Sequence, residues 1–312
     1  MYSQITLIKK LSDLGERQLG QEIKASKLLM AELEKYKVKY KIQYFQTKVP
    51  FFKSATLVAD RRKVQAKASS LVSGVIKNKF KLVAPIIRPL KKNQPNLNYN
   101  PKCEAISQSD FYFVPSLAIN KRDVSRIKKA RYVEAEIKVQ GQKHRSLNIL
   151  AGNLKNPRNI ILAHYDSIGP GAFDDASGIA VLMRLIIDYP KLEQDNLFVL
   201  AGNEELSYDA PTYWGKGYRA LETKYFQVFK NAKRIIVIDG VGAGALQTSR
   251  DLKMMSACFP VKNMKKWRRK IVIVHNSPEI LYKIYHSELD LPANIKASYL
   301  HQANRKILKL LD

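Results

Sequence analysis

Residues 161–178, ILAHYDSIGPGAFDDASG, place His164, Asp166, Asp174 and Asp175 in a glycine-rich loop directly after a short apolar run. An imidazole and several carboxylates gathered at such a point form the donor set that a zinc-type ion prefers. Neighbouring carboxylates raise one another's pKa, so holding Asp174 and Asp175 together with both ionised costs free energy that a divalent cation removes. The competing reading is structural: a turn whose Asp side chains cap the helix that follows.

Three further segments carry groups of the same kind. NLFVLAGNEE ends on Glu204 and Glu205, RIIVIDG holds Asp239, and YHSELDLP holds His286 and Asp290. Each has a plain reading of its own. Glu204-Glu205 suits the first turn of a helix, where the macrodipole favours negative charge. Asp239 before Gly240 suits a turn, and His286 suits a half-buried core position. The shared form argues for function. The runs IILA, LFVLA and IIVI are short, apolar and β-branched, as expected of strands buried on both faces of a parallel sheet. Helical patterns at 176–189 and 213–231 lie between them. Strands alternating with helices predict an α/β fold with a mostly parallel central sheet and helices on both faces. In such sheets ligands collect beyond the carboxyl ends of the strands, so groups far apart in sequence converge on one edge.

With these motifs in order, the chain resembles the dinuclear-zinc aminopeptidases of the bacterial leucyl aminopeptidase and aminopeptidase Y type. Glutamate carboxypeptidase and the glutaminyl cyclases are relatives of that family. The resemblance rests on His-Tyr-Asp-Ser, Gly-Ala-Phe-Asp-Asp-Ala-Ser-Gly, Glu-Glu, the strand-terminal Asp239 and His-Ser-x-x-Asp-x-Pro. It covers residues 146–312 and extends weakly to the first 45. It implies the zinc exopeptidase fold and two Zn2+ ions, with Co2+ or Mn2+ as the other candidates. His164 and Asp239 would hold one ion, Glu205 and His286 the other, and Asp174 would bridge them. Asp175 would shape the turn that presents the bridge, and Asp166 would accept the second ring N–H of His164. Glu204 would be the general base.

The chemistry agrees with those roles. Two metals about 3.5–4 Å apart can share a water, lower its pKa and polarise a carbonyl. A carboxylate outside the coordination sphere can take the proton from that water and pass it to the leaving amine. Among the five histidines, His275 also ends an apolar run and rivals His286, but only His286 has the His-Ser-x-x-Asp-x-Pro context. Asp290 is expected to steady that loop and Pro292 to open the last helix. His144 is expected to be exposed and His301 structural or exposed. After Glu205 the link LSYDAPTYWGKGYRAL departs from the family; Tyr208, Tyr213 and Trp214 in it either line a substrate pocket or pack the loop, and packing is favoured.

Three parts are expected along the chain: residues 1–49 as the first helix and strand of the catalytic domain, 50–130 as a small basic module or lid faintly like a protease-associated insert, and 131–312 as the catalytic core. LKKNQPNLNYNP reads as an exposed loop, YVEAEIKV as an edge strand, and SLNILAGNL as the first strand of the catalytic sheet. No apolar run reaches the roughly 20 residues of a membrane span, no leader peptide is recognisable, and Cys103 and Cys258 stand alone. A cytoplasmic protein that acts on peptides, without a membrane, is expected. The net charge is +27. Residues 1–160 hold 33 basic and 11 acidic groups, against 21 and 16 in 161–312. The basic half could meet nucleic acid, although no nucleic-acid motif is recognisable. The open alternatives are a single-zinc aminoacyl transferase like glutaminyl cyclase, and a basic nucleic-acid or partner-binding protein on the same fold.

Overall fold

The computed structural model describes residues 2–88 and 94–311. The chain forms two compact units. The first comprises Met1–Thr47, His144–Ile280 and Asp290–Asp312; the second comprises Lys48–Lys143 and Leu281–Leu289. The module expected at 50–130 therefore corresponds to a longer segment, and the stretch carrying His286 goes with it.

In the first unit the strands follow the order Leu246–Ser249, Ile271–Asn276, Arg234–Ile238, Asn159–His164, Asn196–Ala201, then the strands that end at Gly152 and begin at Tyr40. The four from Ile271 to Ala201 in this order are mutually parallel, and antiparallel strands flank them. Alternate side chains of the parallel strands point to opposite faces. On one face Ile160, Leu162, Leu197, Val199, Val237 and Ile273 pack against Tyr218, Phe229, Phe259 and Trp267. The other face is covered by the helix Ser177–Asp188, which packs against the helices Gln4–Ser12 and Ala297–Leu311. Each fully buried Leu, Ile or Val contributes roughly 1.5–3 kcal/mol, so a sheet apolar on both faces requires these two helical layers. The mixed, mostly parallel α/β fold is thus observed.

Several local expectations change. The opening helical pattern is two helices, Gln4–Ser12 and Gly20–Lys35. YVEAEIKV and SLNILAGNL belong to one strand, Val133–Gly152, and the earlier strand runs from Tyr40 to Ala59. Neither sequence contains a residue that must end a strand between them. Pro292 opens only a short 3-10 turn, Pro292–Asn294, and the last helix begins at Ala297.

The second unit has a four-stranded sheet in the order Ala66–Ala68, Ser116–Ile119, Asn96–Asn98, Lys81–Val83. Its core gathers Leu57, Val64, Ile76, Leu97, Leu117 and Ile119. The Pro- and Asn-rich stretch does not fit the expected exposed loop. Residues 90–93 lie outside the described residues, but Asn96, Asn98 and Asn100 are buried. Asn98 Nδ2 donates to Ser69 Oγ at 2.7 Å and to Asn96 Oδ1 at 3.1 Å. Hydrogen bonding of this kind lets polar amides occupy an interior strand.

Candidate metal centre

Strand register sets the candidate site. Ala201 pairs with His164, and Val237 pairs with Leu162. The Asp239 N–H donates to the Val274 carbonyl at 3.0 Å. The carboxyl ends of the parallel strands therefore lie level, and the loops after them face one edge of the first unit.

At that edge His164, Asp174 and Glu205 each offer one ligand atom, all within 4.8 Å of one another. All three residues are buried. His164 Nε2 stands 3.2 Å from Asp174 Oδ1. Donors about 2.0–2.2 Å from a tetrahedral zinc lie about 3.4 Å apart, so the spacing suits such an ion. The charge balance suits one as well. Burial drives the carboxyls of Glu204 and Asp175 well above their ordinary range, and neighbouring carboxylates add to the rise. Asp239, half-buried, is raised by burial and then by Asp174. Burial opposes a proton on His164, yet hydrogen bonding to Asp166 and Asp174 outweighs it and raises the ring well above its usual value. A divalent cation answers the same electrostatic demand as those protons.

The turn that carries Asp174 is irregular. Residues Ala172–Ala176 lead into the helix Ser177–Asp188, and the Asp174–Asp175 peptide is cis. Asp175 Oδ1 accepts the N–H of Gly178 at 3.0 Å and of Gly240 at 3.2 Å. Helix capping thus describes Asp175, while Asp174 faces His164. A Cβ on Gly178 would collide with the Asp175 carboxylate, so only glycine leaves room for it. Asp290 does not steady the His286 loop as expected. Its carboxylate instead accepts the N–H groups of Phe173 at 2.7 Å and Asp174 at 3.0 Å, fixing the turn. Burial lifts its pKa to about 7.

Asp166 also has a different principal task. His164 Nδ1 lies 3.1 Å from the backbone carbonyl of Asp166 and 3.6 Å from its carboxylate. That carboxylate accepts the N–H groups of Glu204 and Glu205, each at 2.9 Å. Asp166 therefore holds the Glu-Glu pair. Glu204 is buried, and its Oε1 has no hydrogen-bond partner among the described residues.

Sequence reasoning missed the residues that brace this loop. Arg17 is fully buried and donates to the carbonyls of Tyr165 at 2.5 Å, Pro170 at 2.6 Å and Gly171 at 2.9 Å. Burial brings its pKa down to about 10, while Asp166, Asp290, Glu205 and Asp174 hold it up. Glu22, also fully buried, receives His144 Nε2 at 2.7 Å and the Ser146 hydroxyl. His144 is thus not exposed as expected; the buried carboxylate draws it in. Cys258 lies against Asp239, and burial together with Asp239 pushes its thiol well up. No sequence motif marks any of these.

Other candidates fall elsewhere. His275 is the next-to-last residue of its strand, with Nδ1 2.6 Å from the Asn276 carbonyl. His301 is exposed. Tyr213 and Trp214 pack edge to face at 4.8 Å, and Trp214 Nε1 donates to the Ala257 carbonyl at 3.0 Å. Tyr208 is half-buried. His286 belongs to the second unit, where Nδ1 lies 3.1 Å from the Gln108 carbonyl and its backbone φ is +47°.

The parallel strand ends bring together a donor set that suits a metal ion. Residues 148–249 match the model of Peptidase family M28, a segment that includes His164, Asp174, Glu204, Glu205 and Asp239. The match covers about a third of the chain, and within it His164, Asp174 and Glu205 could hold a metal ion. The chain's fold is similar to that of BSAP, a zinc aminopeptidase from Bacillus subtilis, at 17% identity, TM-score 0.68, over 97% of this chain and 92% of that one. A Peptidase M28 precursor from Shewanella amazonensis is similar at 12% identity, TM-score 0.69, over 99% and 92%. A glutaminyl cyclase from Porphyromonas gingivalis is similar at 14% identity, TM-score 0.53, over 99% and 96%. No curated protein sequence matches the chain.

Proposed function

We propose that the protein is an aminopeptidase that removes N-terminal residues from peptides at a two-zinc centre. The observation that carries this reading is the buried convergence of His164, Asp174 and Glu205 beside Glu204, whose Oε1 accepts no hydrogen bond among the described residues. His164, Asp174, Glu205 and Asp239 would hold the ions, and the sequence motif alone offers His286 as a further ligand. When bound, the ions supply an acidified water and a polarised carbonyl. Glu204, kept outside the ligand set and raised by burial, takes the proton from water and returns it to the departing amine. Asp166 keeps Glu204 and Glu205 in register through their backbone N–H groups. The acidic edge receives the cationic α-amine of the substrate, which favours cleavage at the N-terminus. Two free cysteines support work in the cytoplasm.

The test is hydrolysis of aminoacyl-p-nitroanilides and dipeptides by zinc-loaded protein, with a chelator as control. Glu204→Gln is expected to lower turnover roughly 10²–10⁴-fold while zinc content stays unchanged. A fully active Glu204→Gln protein overturns the mechanism. One tightly bound zinc per chain, with cyclisation of glutaminyl peptides, selects the cyclase reading that the Porphyromonas fold likeness raises.

A further inference from the structure

The amino ends of the parallel strands carry a chemistry opposite to that of the metal edge. In the first unit Arg234 pairs with Asn159, and Ile235 pairs with both Ile160 and Ile271, so these ends are level. Basic residues lead into three of the four parallel strands, as Arg158, Lys233 and the run Arg268 to Lys270, while Asp195 precedes the fourth, Asn196–Ala201. Backbone bonds join these lead-ins. The Lys233 N–H donates to the Arg158 carbonyl at 2.7 Å, and the Ile235 N–H to that of Lys270 at 2.9 Å.

Residues 252–270 hold seven basic groups and no acidic one. Trp267 anchors them inward. It is 4% exposed, and its Nε1 donates to Glu222 at 2.6 Å. Glu222 also accepts the N–H groups of Lys262 at 2.7 Å and Asn263 at 2.9 Å, so the buried carboxylate fixes the backbone of the loop. With Trp267 turned in, Lys265, Lys266, Arg268 and Arg269 line an open cleft of about 420 Å³. Among the described residues none of these four pairs with a carboxylate.

We propose that this face of the catalytic unit binds the phosphate backbone of a nucleic acid, remote from the peptidase edge. Like charges held together on a fixed loop repel, and a polyanion relieves that repulsion by releasing its own counterions. Arginines beside lysines add bidentate phosphate contacts. The cleft is concave, and between Phe259 and Lys270 no large apolar side chain is exposed. An acidic bilayer is met by a flatter face with apolar anchors, so a strand of phosphates fits better than a membrane.

The test is fluorescence anisotropy of a labelled uridine oligonucleotide, about 20 nucleotides long, titrated with zinc-loaded protein at about 50 to 300 mM KCl. Binding is expected at the low-salt end. The charge reversal K265E/K266E/R268E/R269E should weaken it at least about ten-fold and flatten the salt slope by about 3, near 0.7 for each phosphate no longer neutralised. Peptidase activity of that variant should not change. An equal reversal at the exposed Arg62, Lys63, Lys79 and Lys81 should change binding less than about two-fold. No binding at low salt, equal weakening by both reversals, or tighter binding to phosphatidylglycerol vesicles than to RNA overturns the proposal. If the quadruple variant does not fold, acetylation of the wild-type protein decides: RNA should protect Lys265 and Lys266, and full reactivity there overturns it.

Discussion

Asp290 shows how one carboxylate couples the metal edge to pH. Its usual value near 3.9 rises to about 7 in the fold, because burial outweighs the two N–H groups it accepts. Between about pH 4 and pH 7 the metal-free native state therefore binds more protons than the unfolded chain. Linkage then requires stability to fall as pH rises through that window. Glu204, Asp175 and Asp239 are shifted in the same direction. Urea unfolding of metal-free protein should show a loss on the order of a few kcal/mol from pH 4.5 to pH 7.5, and zinc should largely abolish the slope. A flat profile without metal would mean that these carboxyls are not protonated in the fold. His164, Asp174 and Glu205, which the fold brings together, were legible in the sequence, because only a few side-chain types can hold a metal. Arg17 and Glu22 were not. Arg17 speaks to backbone carbonyls, which any sequence supplies, and Glu22 to a distant His and Ser.

At the scale of elements, the short helix Gln4–Ser12 and the turn after it act on a loop far along the chain. Three carbonyls of residues 165–171 close on the Arg17 guanidinium. Arg17→Met keeps volume and removes every donor. Each buried carbonyl left bare costs about 1–3 kcal/mol, so a loss of roughly 3–5 kcal/mol is expected by urea unfolding, with weaker zinc binding by competition against a chelator. A variant of wild-type stability would show that other groups brace the loop. The apolar runs announced the parallel strands because burial on both faces leaves a continuous signal. The strand Asn96–Asn98 left little, since only Leu97 joins the apolar core while the Asn98 amide is satisfied by Asn96 and Ser69.

For the molecule as a whole, ligands drawn from separate strand ends make metal binding and folding one equilibrium. Zinc at about 100 times its dissociation constant should add about 2.7 kcal/mol, visible as a raised thermal midpoint that a chelator reverses. An unchanged midpoint would place the metal outside the folded core. No helix of the described residues is long and apolar enough to cross a membrane. The charge excess of the first 160 residues was plain from composition. The denser basic cluster at 262–270 was not, because Trp267 and Glu222 organise it through contacts that sequence spacing does not encode.

The Arg17 clamp bears on transplantation. Residues 148–249 look like a self-sufficient cassette. Moved into another scaffold, they would leave behind the guanidinium that closes their loop and the Asp290 carboxylate that fixes their turn. A graft would need that donor and that acceptor rebuilt in the host, so a transferable piece must carry Arg17 and Asp290 along with residues 148–249.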